Sequence, residues 1–177
     1  DVVMTTGYLN DVLEEYCKSL DVKLNIQFVH SVDYEKTNYI YSIYLAEEFL
    51  HDDIVMMHGD LVFSKELLKE ILRETGSYMI VEEAAPLPEK DFKAVVIDGK
   101  IDKIGILYFE QAVAAQPLYK LEQKDWEIWI REIIRFCEKG EVKCYAENAF
   151  NEVSDKCLIK PYDVHGYMCQ EIDTIED

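Results

Sequence analysis

The chain reads as an α/β fold: a mixed, mostly parallel central sheet flanked by helices, with one β-hairpin inserted in its second half. Three observations predict this. Through the first 82 residues, short apolar segments suited to strands alternate with amphipathic segments of helical period. Two of the strand-like segments run straight into glycine, at Gly7 and Gly59, and in parallel sheets ligands gather beyond such strand ends. Finally, Asp98-Gly99 lies between two apolar-rich arms, a strong hairpin signal.

The elements follow in order. "VVMTTGY" is a strand ending at Gly7. Leu9, Val12, Leu13, Tyr16, Cys17 and Leu20 recur at helical spacing, with Asn10 or Asp11 placed to cap. "VKLNIQFV" alternates Val22, Leu24, Ile26 and Phe28 as a strand does, and "YIYSIYLAEEFL" is helical. "DIVMMHGD" is a buried strand, "SKELLKEILRETG" an amphipathic helix from Ser64 to Gly76, and "SYMIVEE" a strand. Pro117 in "AAQPLYKL" speaks against a regular central strand there. "DWEIWIREIIRFCEKG" is the clearest helix, with Trp126, Trp129, Ile130, Ile133, Ile134 and Cys137 as its apolar stripe. "AENAFNEVSD" is a short helix, and two extended segments flank His165-Gly166. Together these make one domain over residues 1–177.

Composition excludes several classes. Thirty-six acidic side chains face eighteen basic ones, a net charge of −18, so a nucleic-acid partner is not expected. No apolar run approaches the roughly 20 residues that span a bilayer. Five scattered cysteines suggest free thiols in a reducing, cytoplasmic setting. Cys157, His165 and Cys169 match no common zinc spacing. Self-association as a homo-oligomer is left open.

Asp60 raises the chemical question. It closes the run "IVMMHGD", where a buried, unpaired carboxylate would be costly. A Gly-Asp turn is one explanation; a metal ligand at a strand end is the other, and the position favours it. Near the end of the chain Glu171 and Asp173 alternate around Ile172, so on a strand both carboxylates share a face. Two strand-end carboxylates from distant parts of a sheet suit Mg²⁺, which fills its remaining positions with water and phosphate oxygens. Thr37, Asn38 and Ser42 surround a helix start, which is either an ordinary cap or a polar site for a base or anion.

In order, "VVMTTGYLNDVLEEY", "TNYIYSIYLA", "VMMHGDLVF" and "CQEIDTIED" resemble the nucleotidyltransferases of Rossmann-like fold, above all bacterial choline-phosphate cytidylyltransferases and related small cytidylyltransferases. The resemblance spans nearly the whole chain, and "FKAVVIDGKIDKIG" looks like the family's hairpin. It implies that Asp60 and Asp173 hold catalytic Mg²⁺, and that Thr37, Asn38 and Ser42 lie by the base. Gly7, Tyr8 and Gly59 fall with them in the nucleotide half. Acceptor candidates are Glu147 and Asn148 of "YAENA", with Tyr119, Tyr145 and Glu171. The family also carries an N-terminal strand and a glycine-rich loop with Arg and Pro-Lys that hold the triphosphate. The 177 residues open where the family's second strand lies, so such a segment is expected upstream of them.

The implied reaction joins CTP to a phosphorylated small molecule and releases pyrophosphate. Twelve tyrosines, two tryptophans and the negative charge are compatible with a phosphocholine acceptor. Tyr108, Phe109, Tyr119, Tyr145, Tyr162 and Tyr167 fall in the acceptor half, where most aromatics serve the core. A sugar 1-phosphate acceptor, another nucleoside triphosphate, or a catalytically silent module of the same fold are the alternatives.

Overall fold

A computed structural model describes residues 1–172 and 174 of the chain. Its organising element is a ten-residue strand, β8 (Ala112–Leu121). One edge of β8 pairs antiparallel with β5 (Ser77–Glu82). The other edge takes β6 (Lys93–Ile97) at residues 112–114 and β3 (Ile54–Met57) at residues 118–121, both antiparallel. β7 (Lys100–Gly105) closes the hairpin with β6, and β9 (Ile159–Asp163) runs parallel to β5. The sheet is therefore mixed. By direction β3, β5, β6 and β9 run one way, while β7 and β8 run against them. Because β8 lies between its neighbours, most of the hydrogen-bonded ladders are nonetheless antiparallel.

That placement corrects the expectation from Pro117, which sits within the central strand. Met79 of β5 faces Tyr119, but Val81 faces Ala115, so the register slips between them. Two residues of one strand then oppose four of the other, and the bulge accommodates a residue with no N–H to give.

The remaining strands form small ribbons. β1 (Val2–Thr6) pairs parallel with β2 (Ile26–His30), and β4 (Leu61–Phe63) pairs antiparallel with β10 (Cys169–Glu171). Between β1 and β2 runs α1 (Asn10–Ser19), which neither Asn10 nor Asp11 caps: Leu9 holds the cap position in a left-handed conformation without a side-chain bond. The cap at α2 (Tyr39–Leu45) is conventional, with Asn38 accepting from the Tyr39 N–H. Ser64 caps α3 (Lys65–Ile71) in the same way.

Alternation along β5 sends Met79 and Val81 to one face and Ile80 to the other. The first face packs on α2, α4 (Gln123–Glu138) and α5 (Ala146–Val153) through Ile40, Trp126, Trp129, Ile133 and Phe150. The second packs on α3 through Leu67 and Ile71. Both indoles are fully buried, and both satisfy their N–H: Trp126 donates to the Leu50 carbonyl at 2.7 Å and Trp129 to the Ala146 carbonyl at 2.9 Å. Truncating either to Ala should cost about 3–5 kcal/mol. Among the described residues no helix is long and apolar enough to cross a membrane, and all five cysteines are free thiols.

Candidate active site

The site grows from a gap in the edge of β8. Between β3 and β6, single bonds meet that edge. The His58 N–H donates to the Pro117 carbonyl at 3.2 Å, and the Ala115 N–H to the Phe92 carbonyl at 3.1 Å. The carboxyl end of β3 therefore projects His58, Gly59 and Asp60 away from the sheet before the chain returns as β4. β10 then lies along β4 with Glu171 opposite Leu61, and the Ile172 N–H donates to the Asp60 carbonyl at 2.9 Å.

This register brings distant acids together. One ligand-type atom from each of His58, Asp60 and Glu171 lies within 4.8 Å of the others. His58 Nδ1 is 3.0 Å from Glu171 Oε1. Asp60 is exposed, and Glu171 and His58 are half-buried. An imidazole and two carboxylates are a donor set that fits a divalent cation. Asp173, expected as the second metal ligand, lies outside the described residues.

Two cavities flank this cluster. The first, about 310 Å³, is lined by Thr5 of β1, Tyr39 and Ile43 of α2, and residues 56–60. The second, about 420 Å³, is lined by Phe92, residues 104–108, Cys144, Tyr145, Glu147, Asn148 and Asn151. A wall of rings separates them. Tyr39 stands edge-on to His58 at 4.7 Å between centroids, Phe92 to Tyr145 at 5.1 Å, and His58 to Phe92 at 6.2 Å.

Glu147 sits behind that wall. Its carboxyl accepts from the Tyr119 hydroxyl at 2.6 Å and from the Tyr39 hydroxyl. Burial pushes its pKa up to about 8; its own backbone N–H opposes the shift, and the charge of Glu171 adds to it. The Tyr119 phenol is likewise driven well above its usual range, first by burial and then by Glu171.

The other sequence-derived residues scatter more widely. Tyr145, Glu147 and Asn148 line the second cavity. Asn148 also accepts from the Tyr145 N–H at 3.0 Å, as part of the α5 cap. Tyr119 lines neither cavity: its ring is buried edge-on to Trp129, and its hydroxyl holds Glu147. Gly59 lines the first cavity, whereas Thr37, Asn38 and Ser42 border neither. The Thr37 hydroxyl donates to the Asp33 carbonyl at 2.9 Å, and Asn38 is spent on the helix cap. Gly7 lies so close to Tyr34 that a Cβ would meet its ring and Cβ at 2.9 Å, and Tyr8 is exposed. Of the rings in the wall, His58, Tyr39 and Phe92 had not been singled out. His58 carried a signal, being the one titratable residue inside an apolar strand end next to Gly-Asp. Tyr39 and Phe92 carried none, since their importance depends on which rings they meet.

No protein-family model matches the chain. Over 104 residues it is 31% identical to the CMP-5'-(3-aminopropyl)phosphonate synthase of Streptomyces rubellomurinus, covering 59% of this chain and 16% of that protein. Over 87 residues it is 24% identical to the CTP:phosphoglutamine cytidylyltransferase of Campylobacter jejuni, covering 46% of this chain and 33% of that protein. The chain thus matches a third or less of the length of these curated relatives. The CTP:phosphocholine cytidylyltransferase of Streptococcus pneumoniae has the same fold, with a TM-score of 0.76 and 18% identity over 99% of this chain and 74% of that one. UDP-glucose pyrophosphorylase shares it too, at a TM-score of 0.69 and 13% identity over 99% and 77% of the two chains. The nucleotidyltransferase fold expected from the sequence is the fold of this chain.

Proposed function

We propose that this chain is the core of a metal-dependent cytidylyltransferase. It would join CTP to a small phosphorylated or phosphonylated acceptor, such as phosphocholine, and release pyrophosphate. What supports this most is the β4–β10 ladder, which sets the late acidic strand beside the Gly-Asp turn at the carboxyl end of β3. The two sequence relatives, named for a CMP-phosphonate product and a CTP-dependent transfer, point to the same base.

In this reaction an anionic oxygen of the acceptor attacks the α-phosphorus of CTP. The bond to the β-phosphate oxygen breaks, and pyrophosphate carries away the electron pair. The nucleophile is already ionised near neutral pH, so no general base is needed; positioning and charge compensation are the tasks. A divalent cation, when bound, would offset the negative charge at the phosphates. Asp60 and Asp173 would hold it; Asp173 follows Glu171 by two positions. The first cavity would take the nucleotide between Thr5, Tyr39, Gly59 and Asp60. The second would take the acceptor against Tyr145, Glu147 and Asn148. Phe92 and Tyr145 offer ring surface to a cationic head group, each worth about 0.5–2 kcal/mol.

The test is pyrophosphate release from each of the four nucleoside triphosphates. They are paired with phosphocholine, 2-aminoethylphosphonate and sugar 1-phosphates, with and without a divalent metal. Metal-dependent release from CTP with an amine-bearing acceptor is expected. Turnover of sugar 1-phosphates alone would replace this acceptor class with that of UDP-glucose pyrophosphorylase. No release with any pair would leave a silent module.

A further inference from the structure

We infer that His58 is a nitrogen ligand of the divalent cation, forming with Asp60 and Glu171 a mixed nitrogen–oxygen site. It rests on the proposed reading of Asp60 as a metal ligand, and it changes which metals the site prefers.

The positions are fixed by backbone. His58 is tied to Pro117 through its N–H, Asp60 to Ile172 through its carbonyl, and Glu171 sits in register opposite Leu61. Their ligand atoms converge within 4.8 Å of one another.

The imidazole supplies a second, independent observation. Its Nε2 is buried and has no hydrogen-bond partner among the described residues. It belongs to a ring that faces Tyr39 edge-on at 4.7 Å and Phe92 at 6.2 Å. The other ring nitrogen, Nδ1, faces Glu171 Oε1 at 3.0 Å, on the side where Asp60 also offers a carboxylate oxygen. A proton on Nδ1 would make that contact a hydrogen bond to a single carboxylate. A divalent ion there would be shared by Nδ1, Glu171 and Asp60, and neighbouring ligands of an octahedral ion stand roughly 3 Å apart.

The donor set identifies the class of ion. Mg²⁺ favours all-oxygen surroundings, whereas imidazole suits first-row transition metals such as Fe²⁺, Ni²⁺ and Zn²⁺, and Mn²⁺, which shares the oxygen preference of Mg²⁺, opens that series as its weakest binder. The site should therefore bind Mn²⁺ more tightly than Mg²⁺.

The experiment titrates the chain with Mn²⁺, without nucleotide, and records electron spin-echo modulation for coupling to ¹⁴N. The wild-type chain should bind Mn²⁺ and show nitrogen modulation. His58→Gln should weaken Mn²⁺ by at least about tenfold, and His58→Asp should keep binding but lose the nitrogen signal and its advantage over Mg²⁺. Asp60→Asn should weaken binding and keep the nitrogen signal. Mn²⁺ bound without nitrogen coupling, or no Mn²⁺ binding by the wild-type chain, overturns the inference. Pyrophosphate release is read separately. Nitrogen coupling without nucleotidyl transfer supports the site and defeats the proposed reaction; transfer without nitrogen coupling does the reverse.

Discussion

Two carboxylates, Asp60 and Glu147, lie on opposite sides of one wall of aromatic rings and live under different rules. Asp60 is exposed, joins His58 and Glu171 in a cluster of like-charged and ligand-type groups, and accepts the Ile172 N–H at its backbone carbonyl. Glu147 is 1% exposed and receives two phenol hydrogen bonds. The difference teaches that acidity and binding capacity separate in this fold. The exposed acid is free to share a cation, because solvent keeps its charge inexpensive. The buried acid is satisfied, holds its proton into the neutral range, and fixes the position of Tyr39, whose ring faces His58.

The sharpest way to break this contrast is Asp60→Asn. Pyrophosphate release should fall by at least about 100-fold, while unfolding stability stays within about 0.5 kcal/mol, as for an ordinary surface change. Asp173→Ala should act the same way on turnover. A large loss of stability in Asp60→Asn would make it a structural acid like Glu147.

On the other side of the wall, Tyr119→Phe removes one of the two donors from a buried carboxyl. It should cost about 1–3 kcal/mol in urea denaturation. Its effect on the acceptor should come through Glu147, since Tyr119 lines neither cavity.

How far the sequence revealed these two sites follows from what each depends on. Asp60 stands next to glycine at a strand end, and strand ends, glycines and local alternation are all written in neighbouring residues. The same holds for the hairpin at Asp98-Gly99, the Ser64 cap and the stripe of α4. What depended on pairing between distant strands was not legible. Pro117 argues locally against a strand, yet a register slip against β5 absorbs it. Glu147 was legible only through the family resemblance; nothing local announces that Tyr39 and Tyr119, 108 and 28 residues away, will both reach it. His58 was visible as a residue, but its contact with Glu171, 113 residues later, is a product of the β4–β10 ladder.

The proton on Glu147 gives a subtler measurement. Its folded pKa, about 8, lies above its ordinary 4.5. Between those values the native chain binds a proton that the unfolded chain has released, so the stabilisation present at low pH is lost as pH rises through that window and levels off above it. Glu147→Gln, which cannot ionise, should flatten that part of the stability profile. Urea midpoints of both proteins at pH 5 and pH 8 check this; parallel slopes would mean Glu147 is already charged at neutral pH.

The smallest expected effect is Gly59→Ala. Gly59 adjoins Asp60 and lines the first cavity, and among the described residues a Cβ there would meet nothing within 4 Å. Its backbone is not in the left-handed region, so the added methyl brings no strain, and stability should change by less than about 0.5 kcal/mol. The open space it would fill is, however, the space proposed for the nucleotide. The KM for CTP should therefore rise several-fold while kcat and the acceptor KM hold, because only the nucleotide side of the wall is narrowed. The same methyl at Gly7 would collide with Tyr34 at 2.9 Å and should destabilise the fold without that selectivity. A rise in the acceptor KM alone for Gly59→Ala would reverse the assignment of the two cavities, leaving the acid cluster between them unchanged.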